Sequence, residues 1–299
     1  MIKDFELSNG IKIPVQGLGT YTLNKQTMIS SMKAAYNAGC KLVDTAYAYN
    51  NEGYVGNAVN TLQKDGVLAR KELFIQTKVG DKIDRLGHPI GYFFYNSPSC
   101  PCHDTKKVVN EQIANSLKLL NTDYLDLVMI HWPYYDVLNE IWSSLEELYE
   151  QKVIRSIGVS NCKKRHLERI MKTAKYVPMV NQINISPINT CKEDYDFCLE
   201  NKITLQAYSP LYTIQYFRGD EDCLLNKLAS KYQKSSSQIV LRWYYQRGII
   251  AIPKSSNPNR VKENFSIFDF QLTDKEIEDI NNLNCNYNYL VESTFCPGY

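Results

Sequence analysis

The sequence predicts an α/β fold, a (β/α)8 TIM barrel with an N-terminal β-hairpin and long loops at the C-terminal face. The first observation is that about eight short apolar runs alternate with helix-length amphipathic segments along the 299 residues. The second is that several of these runs end on a polar side chain. The third is the length, because α/β barrels of this size fold as one unit. We therefore expect one barrel domain covering residues 1–299.

The chain begins with a hairpin signal. Asn9 and Gly10 lie between residues 7–8 and 11–13, which alternate in polarity. Asn-Gly between such residues is typical of a β-hairpin. We expect this hairpin to precede the first barrel strand.

Eight apolar runs follow the hairpin, and they are the expected barrel strands. They cover residues 15–20, 42–45, 73–79, 125–132, 154–160, 179–185, 203–209 and 249–254. Every connection between them is long enough for the crossover that joins parallel strands.

Helices are expected where apolar residues recur with helical spacing. The clearest segments are 27–38, 108–120, 141–149 and 273–283. The first stops at Gly39, and the last opens with a capping box that pairs Thr273 with Glu276.

Composition and charge narrow the class of protein. With 44% hydrophobic and 22% charged residues, the chain has the composition of a soluble globular protein. A formal net charge of +2 is too small to indicate nucleic acid or an anionic membrane as a partner. No apolar stretch approaches membrane-spanning length, and residues 1–6 mix both charge signs, unlike a signal peptide. We expect a cytoplasmic protein, and a monomer.

The cysteines indicate reduced thiols. The chain has 9 of them, an odd number, and most stand alone in predicted helices and loops. The exception is the group of Cys100, Cys102 and His103. A second pair of ligands at a suitable spacing is missing, so we expect no metal site.

Polar side chains mark the ends of the predicted strands. Asp44 lies at the end of the second barrel run, one residue before its last, and Tyr49 lies in the tyrosine-rich turn that follows it. Lys78 and His131 likewise stand one residue before the last of two further runs. Each residue alone has an ordinary explanation, such as a helix cap for Asp44 or a packed ring for His131. Because the C-terminal ends of parallel barrel strands meet at one rim, we expect these four side chains to form a catalytic constellation.

Three segments carry a family resemblance. Residues 44–52 read DTAYAYNNE and are followed by VGNA at 55–58. The segment 125–133 runs from LDL to HWP, and IPKSS at 252–256 is followed by RVKEN at 260–264. In this combination the chain resembles the aldo-keto reductases over nearly its whole length. The resemblance implies an NADPH-dependent reduction of an aldehyde or ketone to an alcohol.

The resemblance also implies that Asp44, Tyr49, Lys78 and His131 are the catalytic residues. Hydride transfer from a nicotinamide builds negative charge on the carbonyl oxygen, so a donor must supply a proton. We expect Tyr49 to be this donor. A free phenol has a pKa of about 10 and needs a neighbouring cation to act near neutral pH. Lys78 would be that cation, held by an ion pair with Asp44, while His131 would orient the carbonyl.

A site for NADPH follows from the same resemblance. Ser160, Asn161 and Gln182 would surround the nicotinamide carboxamide, and Tyr208 would stack on the nicotinamide ring. The remaining expected contacts with the cofactor are Gly19, Thr20, Asp44, Ser209, Leu211, Glu263 and Asn264.

The phosphate end of this site is expected to favour NADPH over NADH. Lys254, Ser255 and Arg260 offer two cations and a hydroxyl, which suit a ribose 2′-phosphate, whereas a 2′-hydroxyl would call for a carboxylate. Tyr212 follows Leu211 where many relatives have glycine, so we expect the loop over the pyrophosphate to take a different path.

The substrate is expected to lie in an apolar pocket completed by Tyr21, Trp132 and Phe295. The segment 80–105 is longer than the family pattern and follows the C-terminal end of a strand, so it should hang over the catalytic mouth. We hypothesise that it replaces a wall that the short loop after Pro133 does not build. The alternative is a disordered surface insertion. Neither the carbonyl compound nor the favoured direction follows from the sequence.

Two other functions are the alternatives to a reductase. Some relatives of the family bind nucleotide as regulatory subunits with little turnover, although all four catalytic positions are filled here. A metal-dependent barrel hydrolase would use Cys102 and His103, but the cluster of histidines and carboxylates on strand ends that such a site needs is missing. We therefore expect a reductase whose partner is a small carbonyl compound, not nucleic acid or a membrane.

Overall fold

The computed structural model describes residues 4–80, 82–83, 89–90, 104–134 and 136–288. Four residues singled out from the sequence lie outside these ranges: Cys100, Cys102, His103 and Phe295. Most of the segment 80–105 lies outside them as well.

The strands of the described residues form one large sheet and two small ones. They are β1 (Asp4–Glu6), β2 (Lys12–Pro14), β3 (Gly17–Gly19), β4 (Leu42–Asp44), β5 (Phe74–Val79), β6 (Lys82–Ile83), β7 (Pro89–Ile90), β8 (Leu127–Ile130), β9 (Ile157–Ser160), β10 (Val180–Ile183), β11 (Thr204–Tyr208) and β12 (Ile250–Ile252). β1 pairs with β2 in the expected antiparallel hairpin, and β6 pairs with β7. The other eight strands form the parallel barrel sheet.

The barrel strands follow one another in chain order, and each pairs in parallel with its neighbours. The two edges of the sheet meet through a parallel bridge between Gln16 and Ala251. The Gly19 amide also donates to the carbonyl of Pro253 at 2.9 Å. Each predicted apolar run contains one observed strand, so the predicted barrel is confirmed.

Helices connect the barrel strands, and two more follow the last strand. They are α1 (Lys25–Asn37), α2 (Glu52–Lys64), α3 (Thr105–Leu120), α4 (Leu138–Glu150), α5 (Lys164–Met171), α6 (Lys192–Glu200), α7 (Tyr212–Tyr216), α8 (Leu224–Tyr232), α9 (Ser236–Gln246), α10 (Pro258–Asn264) and α11 (Asp274–Asn281). Two 3₁₀ turns cover Tyr47–Tyr49 and Arg70–Glu72. No helix in the described part of the chain is both long and apolar enough to cross a membrane.

The helix ends show how local chemistry sets the boundaries. The predicted capping box is confirmed, because Thr273 accepts from the Glu276 amide at 3.2 Å and Glu276 accepts from the Thr273 amide at 2.8 Å. α3 begins earlier than periodicity predicted, since Asp104 caps it by accepting from the Lys107 amide at 2.9 Å. A polar capping residue therefore adds a turn that the apolar pattern alone does not reveal.

The side chains of β5 point alternately into and out of the barrel. Successive residues of a strand point to opposite faces. Gln76 and Lys78 therefore point into the barrel, where both contact Asp44. Thr77 points outward and donates to Glu52 of α2 at 2.7 Å. The outward contact fixes β5 to a helix while the inward residues remain available for chemistry.

Candidate active site

A buried ion pair lies at the centre of the site. Lys78 Nζ is 2.6 Å from Asp44 Oδ1 and donates to the Thr45 carbonyl at 3.0 Å. The Lys78 side chain is 1% exposed, and burial lowers its pKa while the charge of Asp44 opposes that change. An ammonium is thus held in a low-dielectric setting, where its field on neighbouring groups is strong.

Tyr49 lies beside this pair. Its ring centroid is 5.2 Å from Lys78 Nζ, 4.9 Å from the Tyr21 ring and 5.6 Å from the His131 ring. The structure therefore brings Asp44, Lys78, Tyr49 and His131 together from three separate parts of the chain, since only Asp44 and Tyr49 lie close in sequence.

Local interactions hold the turn that carries Tyr49. Asn50 ends the 3₁₀ turn in the left-handed region with φ of 54°, which asparagine tolerates. The buried amide of Asn51 donates to the Thr20 carbonyl at 2.8 Å and accepts from the Thr45 hydroxyl at 3.0 Å. These bonds fasten the turn to the ends of β3 and β4.

His131 enters the site directly after β8. Its backbone amide donates to the Val79 carbonyl at 2.9 Å, and its own carbonyl accepts from Asn161 Nδ2 at 3.0 Å. Burial, with a smaller contribution from the charge of Lys78, lowers the pKa of His131 to about 3. The imidazole is therefore neutral at physiological pH and presents a hydrogen-bonding group without a charge.

The expected carboxamide residues are joined by hydrogen bonds. The Ser160 hydroxyl donates to the backbone carbonyl oxygen of Gln182 at 2.8 Å. Asn161 adopts a left-handed conformation with φ of 59° and accepts from the Tyr208 hydroxyl at 2.8 Å. The side chain of Gln182 reaches into the barrel, where Nε2 donates to Asp44 Oδ1 at 3.0 Å. All four residues lie at the rim that carries His131.

The expected phosphate residues are arranged differently. Lys254 and Arg260 are exposed, and none of the ion pairs among the described residues involves either of them. Ser255 is half-buried, and its hydroxyl accepts from the Asn257 amide at 3.1 Å. Of the expected adenine contacts, Asn264 is buried and Glu263 is half-buried at the end of α10.

The first barrel strand reaches the phosphate end. A Cβ added to Gly19 would lie 3.3 Å from the Ile252 carbonyl oxygen and 3.5 Å from Lys254 Cβ, so little room is left for a side chain here. Thr20 is buried and donates to the Asp44 carbonyl at 2.8 Å. The Thr20 hydroxyl is thus already hydrogen-bonded to the backbone of β4, the strand that carries Asp44.

The loop after β11 turns sharply and re-enters a helix. Ser209 is exposed and left-handed with φ of 48°. Leu211 is half-buried and precedes the short helix α7, whose first amide, that of Tyr212, donates to the Ser209 carbonyl at 3.0 Å.

Two of the three expected substrate residues are described. Tyr21 is 46% exposed and packs on Tyr49, and Trp132 is half-buried with its ring 6.0 Å from that of His131. Both aromatic rings therefore flank the mouth of the catalytic cluster. Phe295 lies outside the described residues.

The sequence interpretation missed two residues of the barrel interior. Gln76 donates to Asp44 Oδ1 at 2.6 Å and to Gln206 Oε1 at 2.8 Å. Gln206 returns a bond to Gln76 Oε1 at 2.9 Å. A usable signal was present, because each glutamine interrupts an apolar run and stands two positions before an expected site residue, Lys78 or Tyr208.

Among the described residues no group of three or more histidines, cysteines and carboxylates could hold a metal ion. The cysteines of this part of the chain are free, and four of them are buried. Cys102 and His103, the ligands considered for a metal, lie outside it.

Comparison with known proteins supplies a further finding. The sequence model that represents the Aldo/keto reductase family matches residues 16–284 of this chain. The chain is 39% identical over 280 residues to the glyoxal reductase of Bacillus subtilis (strain 168), covering 93% of this chain and 92% of that protein. It is 34% identical over 278 residues to the methylglyoxal reductase DkgA of Escherichia coli (strain K12), covering 92% and 91%.

Solved structures show the same similarity. An aldo-keto reductase from Bombyx mori, crystallised in complex with NADP, superposes with a TM-score of 0.83 at 29% identity. The alignment covers 97% of this chain and 95% of that one. The similarity thus extends over nearly the whole barrel and both ends of the site described above.

Proposed function

The chain belongs to the Aldo/keto reductase family, and on that premise we propose that it uses NADPH to reduce a small aldehyde or ketone to the alcohol. It is an oxidoreductase of that family. The observation that carries the proposal is the placement of Tyr49 close to both the Lys78 ammonium and the His131 ring.

Tyr49 is the proposed proton donor. As negative charge develops on the carbonyl oxygen, the phenol releases its proton to that oxygen and is left as a phenolate. The Lys78 ammonium, 5.2 Å from the Tyr49 ring centroid, stabilises this phenolate. Asp44 keeps the ammonium in place through the 2.6 Å ion pair.

His131 is the proposed orienting group. A pKa of about 3 means that the ring remains neutral, so it competes with Tyr49 neither as an acid nor as a second cation. A neutral imidazole can direct a hydrogen bond at the carbonyl oxygen and so select the orientation in which Tyr49 reaches it.

NADPH, when bound, supplies the hydride. The donor set of the chain fits this cofactor, because two exposed cations, Lys254 and Arg260, take part in none of the ion pairs described. Such cations suit a 2′-phosphate. At the other end, Ser160, Asn161 and Gln182 would hold the carboxamide. The remaining proposed contacts are Gly19, Thr20, Asp44, Tyr208, Ser209, Leu211, Ser255, Glu263 and Asn264.

The proposed substrates are small carbonyl compounds, with 2-oxoaldehydes as the first to test. Two relatives are named for the reduction of glyoxal and methylglyoxal. In this chain Tyr21 and Trp132 offer aromatic surfaces at the mouth of the catalytic cluster. A compact planar dicarbonyl could lie between these rings and still reach Tyr49.

The test is steady-state consumption of NADPH with a panel of aldehydes and ketones, measured for the wild type and for Tyr49→Phe. We expect Tyr49→Phe to bind NADPH normally and to lose kcat by roughly a thousandfold, because only the proton donor is removed. Tyr36→Phe is the matched control. It deletes a hydroxyl that donates to Glu72 at 2.8 Å, away from the site, and should leave kcat unchanged.

The same assay addresses the alternative of a regulatory subunit. Such a subunit would bind NADPH with negligible turnover of every carbonyl in the panel. Equal kcat values for the wild type and Tyr49→Phe would overturn the proposed mechanism, since the phenol would then not be the acid.

A further inference from the structure

A closed ring of hydrogen bonds fills the barrel interior at the level of Asp44. Gln76 Nε2 donates to Asp44 Oδ1 at 2.6 Å and to Gln206 Oε1 at 2.8 Å. Gln182 Nε2 donates to the same two oxygens, at 3.0 Å and 2.8 Å. Gln206 Nε2 donates back to Gln76 Oε1 at 2.9 Å. We call these four side chains the amide ring.

The amide ring is almost completely shielded from solvent. Gln76 and Gln206 are 0% exposed, Gln182 is 1% exposed and Asp44 is 4% exposed. Barrel interiors are usually filled with branched apolar side chains. A buried amide lowers stability unless it is hydrogen-bonded, so a polar layer at this depth is tolerated only with its bonds satisfied.

The charge of Asp44 dictates how the amides are turned. As the partner of the Lys78 ammonium, Asp44 is a carboxylate, which only accepts hydrogen bonds. Gln76 and Gln182 must therefore turn their NH₂ groups toward it. Each NH₂ has two hydrogens, and the second hydrogen of each goes to Gln206 Oε1. Gln206 in turn is fixed by its own bond to Gln76.

One consequence concerns Gln182. Both of its amide hydrogens are used inside the ring, so its carbonyl oxygen is the group left for a ligand. A carboxamide offers NH₂ hydrogens, and an oxygen is what they require. If the Gln182 amide were reversed, its oxygen would face the oxygens of Asp44 and Gln206 and be repelled by them. Its NH₂ would then point at the NH₂ of the carboxamide, which cannot accept a hydrogen bond.

We propose that Gln76 and Gln206 are positioning residues that fix the Gln182 side chain with its carbonyl oxygen available to the nicotinamide carboxamide. They do so without touching the cofactor. The proposal rests on the proposed function, because it takes the contact between Gln182 and the carboxamide as given. It adds that the charge of Asp44, which holds Lys78, also sets the orientation of a cofactor-binding amide.

The test measures NADPH affinity by fluorescence titration between pH 5 and pH 9 for two variants of one residue. Gln206→Met keeps the shape and removes both hydrogen-bonding atoms. Gln182 then loses one of its two acceptors and is held by Asp44 alone. Its side chain is less firmly positioned, so we expect Kd for NADPH to rise roughly tenfold at every pH.

Gln206→Glu gives a different expectation. In its protonated form the new carboxyl accepts from Gln182 and donates its proton to Gln76 Oε1, which completes the ring. Once ionised, it cannot donate, and it repels Asp44. We expect Kd near the wild-type value at pH 5 and a rise relative to wild type toward pH 9. A simple loss of packing would not produce this pH dependence.

Gln246→Met is the matched control. Gln246 is a half-buried glutamine at the end of α9 that donates to the Leu272 carbonyl at 2.9 Å and accepts from the Leu272 amide at 2.8 Å. It has no contact with the amide ring. Its replacement should lower Tm and leave Kd for NADPH unchanged across the pH range.

The outcomes separate this proposal from the proposed function. A wild-type Kd for Gln206→Met, or a Kd ratio of Gln206→Glu to wild type that stays constant from pH 5 to pH 9, would overturn the positioning role. Should Gln206→Met fail to fold, the Gln206→Glu profile decides alone. A wild type that binds NADPH but reduces no carbonyl contradicts only the proposed function, whereas a wild type that binds no NADPH contradicts both.

Discussion

The two ends of the proposed cofactor site differ in how their charges are satisfied. At the catalytic end, Lys78 and Asp44 are buried and bonded to each other at 2.6 Å. At the phosphate end, Lys254 and Arg260 are exposed, and the ion pairs of the described residues leave both out. The first pair of charges is complete before any ligand arrives, while the second pair can be neutralised by a bound anion.

This difference assigns catalysis to the buried charges and cofactor binding to the exposed ones. A buried charge acts on its neighbours through a low dielectric and has a fixed position, so it can stabilise a transition state without rearrangement. An exposed charge is screened by water and salt and contributes mainly to affinity. We therefore expect changes at the catalytic end to affect kcat and stability strongly, and changes at the phosphate end to affect cofactor binding modestly.

The largest effect is expected for Lys78→Met. It removes the cation beside Tyr49, so kcat should fall by roughly a thousandfold. It also leaves the Asp44 carboxylate buried without its counter-charge, which should lower the free energy of unfolding by about 3 kcal/mol. Steady-state kinetics and urea unfolding measure the two effects.

A second substitution sharpens this prediction. Asp44→Asn in the Lys78→Met background removes the unpaired charge, so stability should recover in part while kcat stays low. If the double variant is less stable than Lys78→Met, the ion pair is not the cause of the stability loss.

The next largest effect is a loss of unfolding free energy at low pH that is caused by His131. Because its folded pKa is about 3 and its usual value is 6.5, the unfolded chain binds a proton over this interval that the folded chain does not. Stability is therefore fully present above pH 6.5 and declines as pH falls toward 3. By pH 5 this group alone should cost about 2 kcal/mol.

His131→Gln isolates that contribution. We expect the loss of unfolding free energy between pH 7 and pH 5, measured by urea titration, to be larger in the wild type than in the variant. Equal losses in the two proteins would show that the folded histidine titrates normally.

At the phosphate end, Arg260→Ala should raise Kd for NADPH roughly tenfold and leave Kd for NADH unchanged, since only NADPH carries the 2′-phosphate. The value of kcat at saturating NADPH should stay near that of the wild type. Lys262→Ala is a matched control, because Lys262 is an exposed cation on the same helix, α10, that is not an expected cofactor contact. A similar loss of NADH affinity would argue against a 2′-phosphate contact.

The smallest effect is a response to salt in the unmodified protein. Raising ionic strength should weaken NADPH binding severalfold, because the cations at the phosphate end are exposed and screened. The kcat should change by less than about twofold, because the Asp44–Lys78 pair is buried. A fall in kcat that matches the fall in affinity would remove the distinction between the two ends.

The sequence located most of the proposed site because strand ends carry it. Lys78 and His131 stand at the ends of apolar runs, and in a parallel barrel all such ends share a rim, so local pattern and topology together predicted that they would meet. After Leu211 the chain forms a short helix, α7, and the expectation that this path differs from that of relatives stays a prediction. α3 begins earlier than the apolar repeat predicts, because its capping residue, Asp104, lies outside that repeat.

By itself the sequence determined the barrel, the order of its strands and the polar residues of its rim, since apolar periodicity and the rule that parallel strands end together are local or topological properties. Only the tertiary structure decided which hydrogen-bond partners those residues have. Gln76 and Gln206 are 130 positions apart and meet across the barrel interior, and the Gln182 amide turns toward Asp44 because a buried carboxylate demands donors. Which way a buried amide faces depends on every partner around it at once, and those partners come together only when the barrel closes.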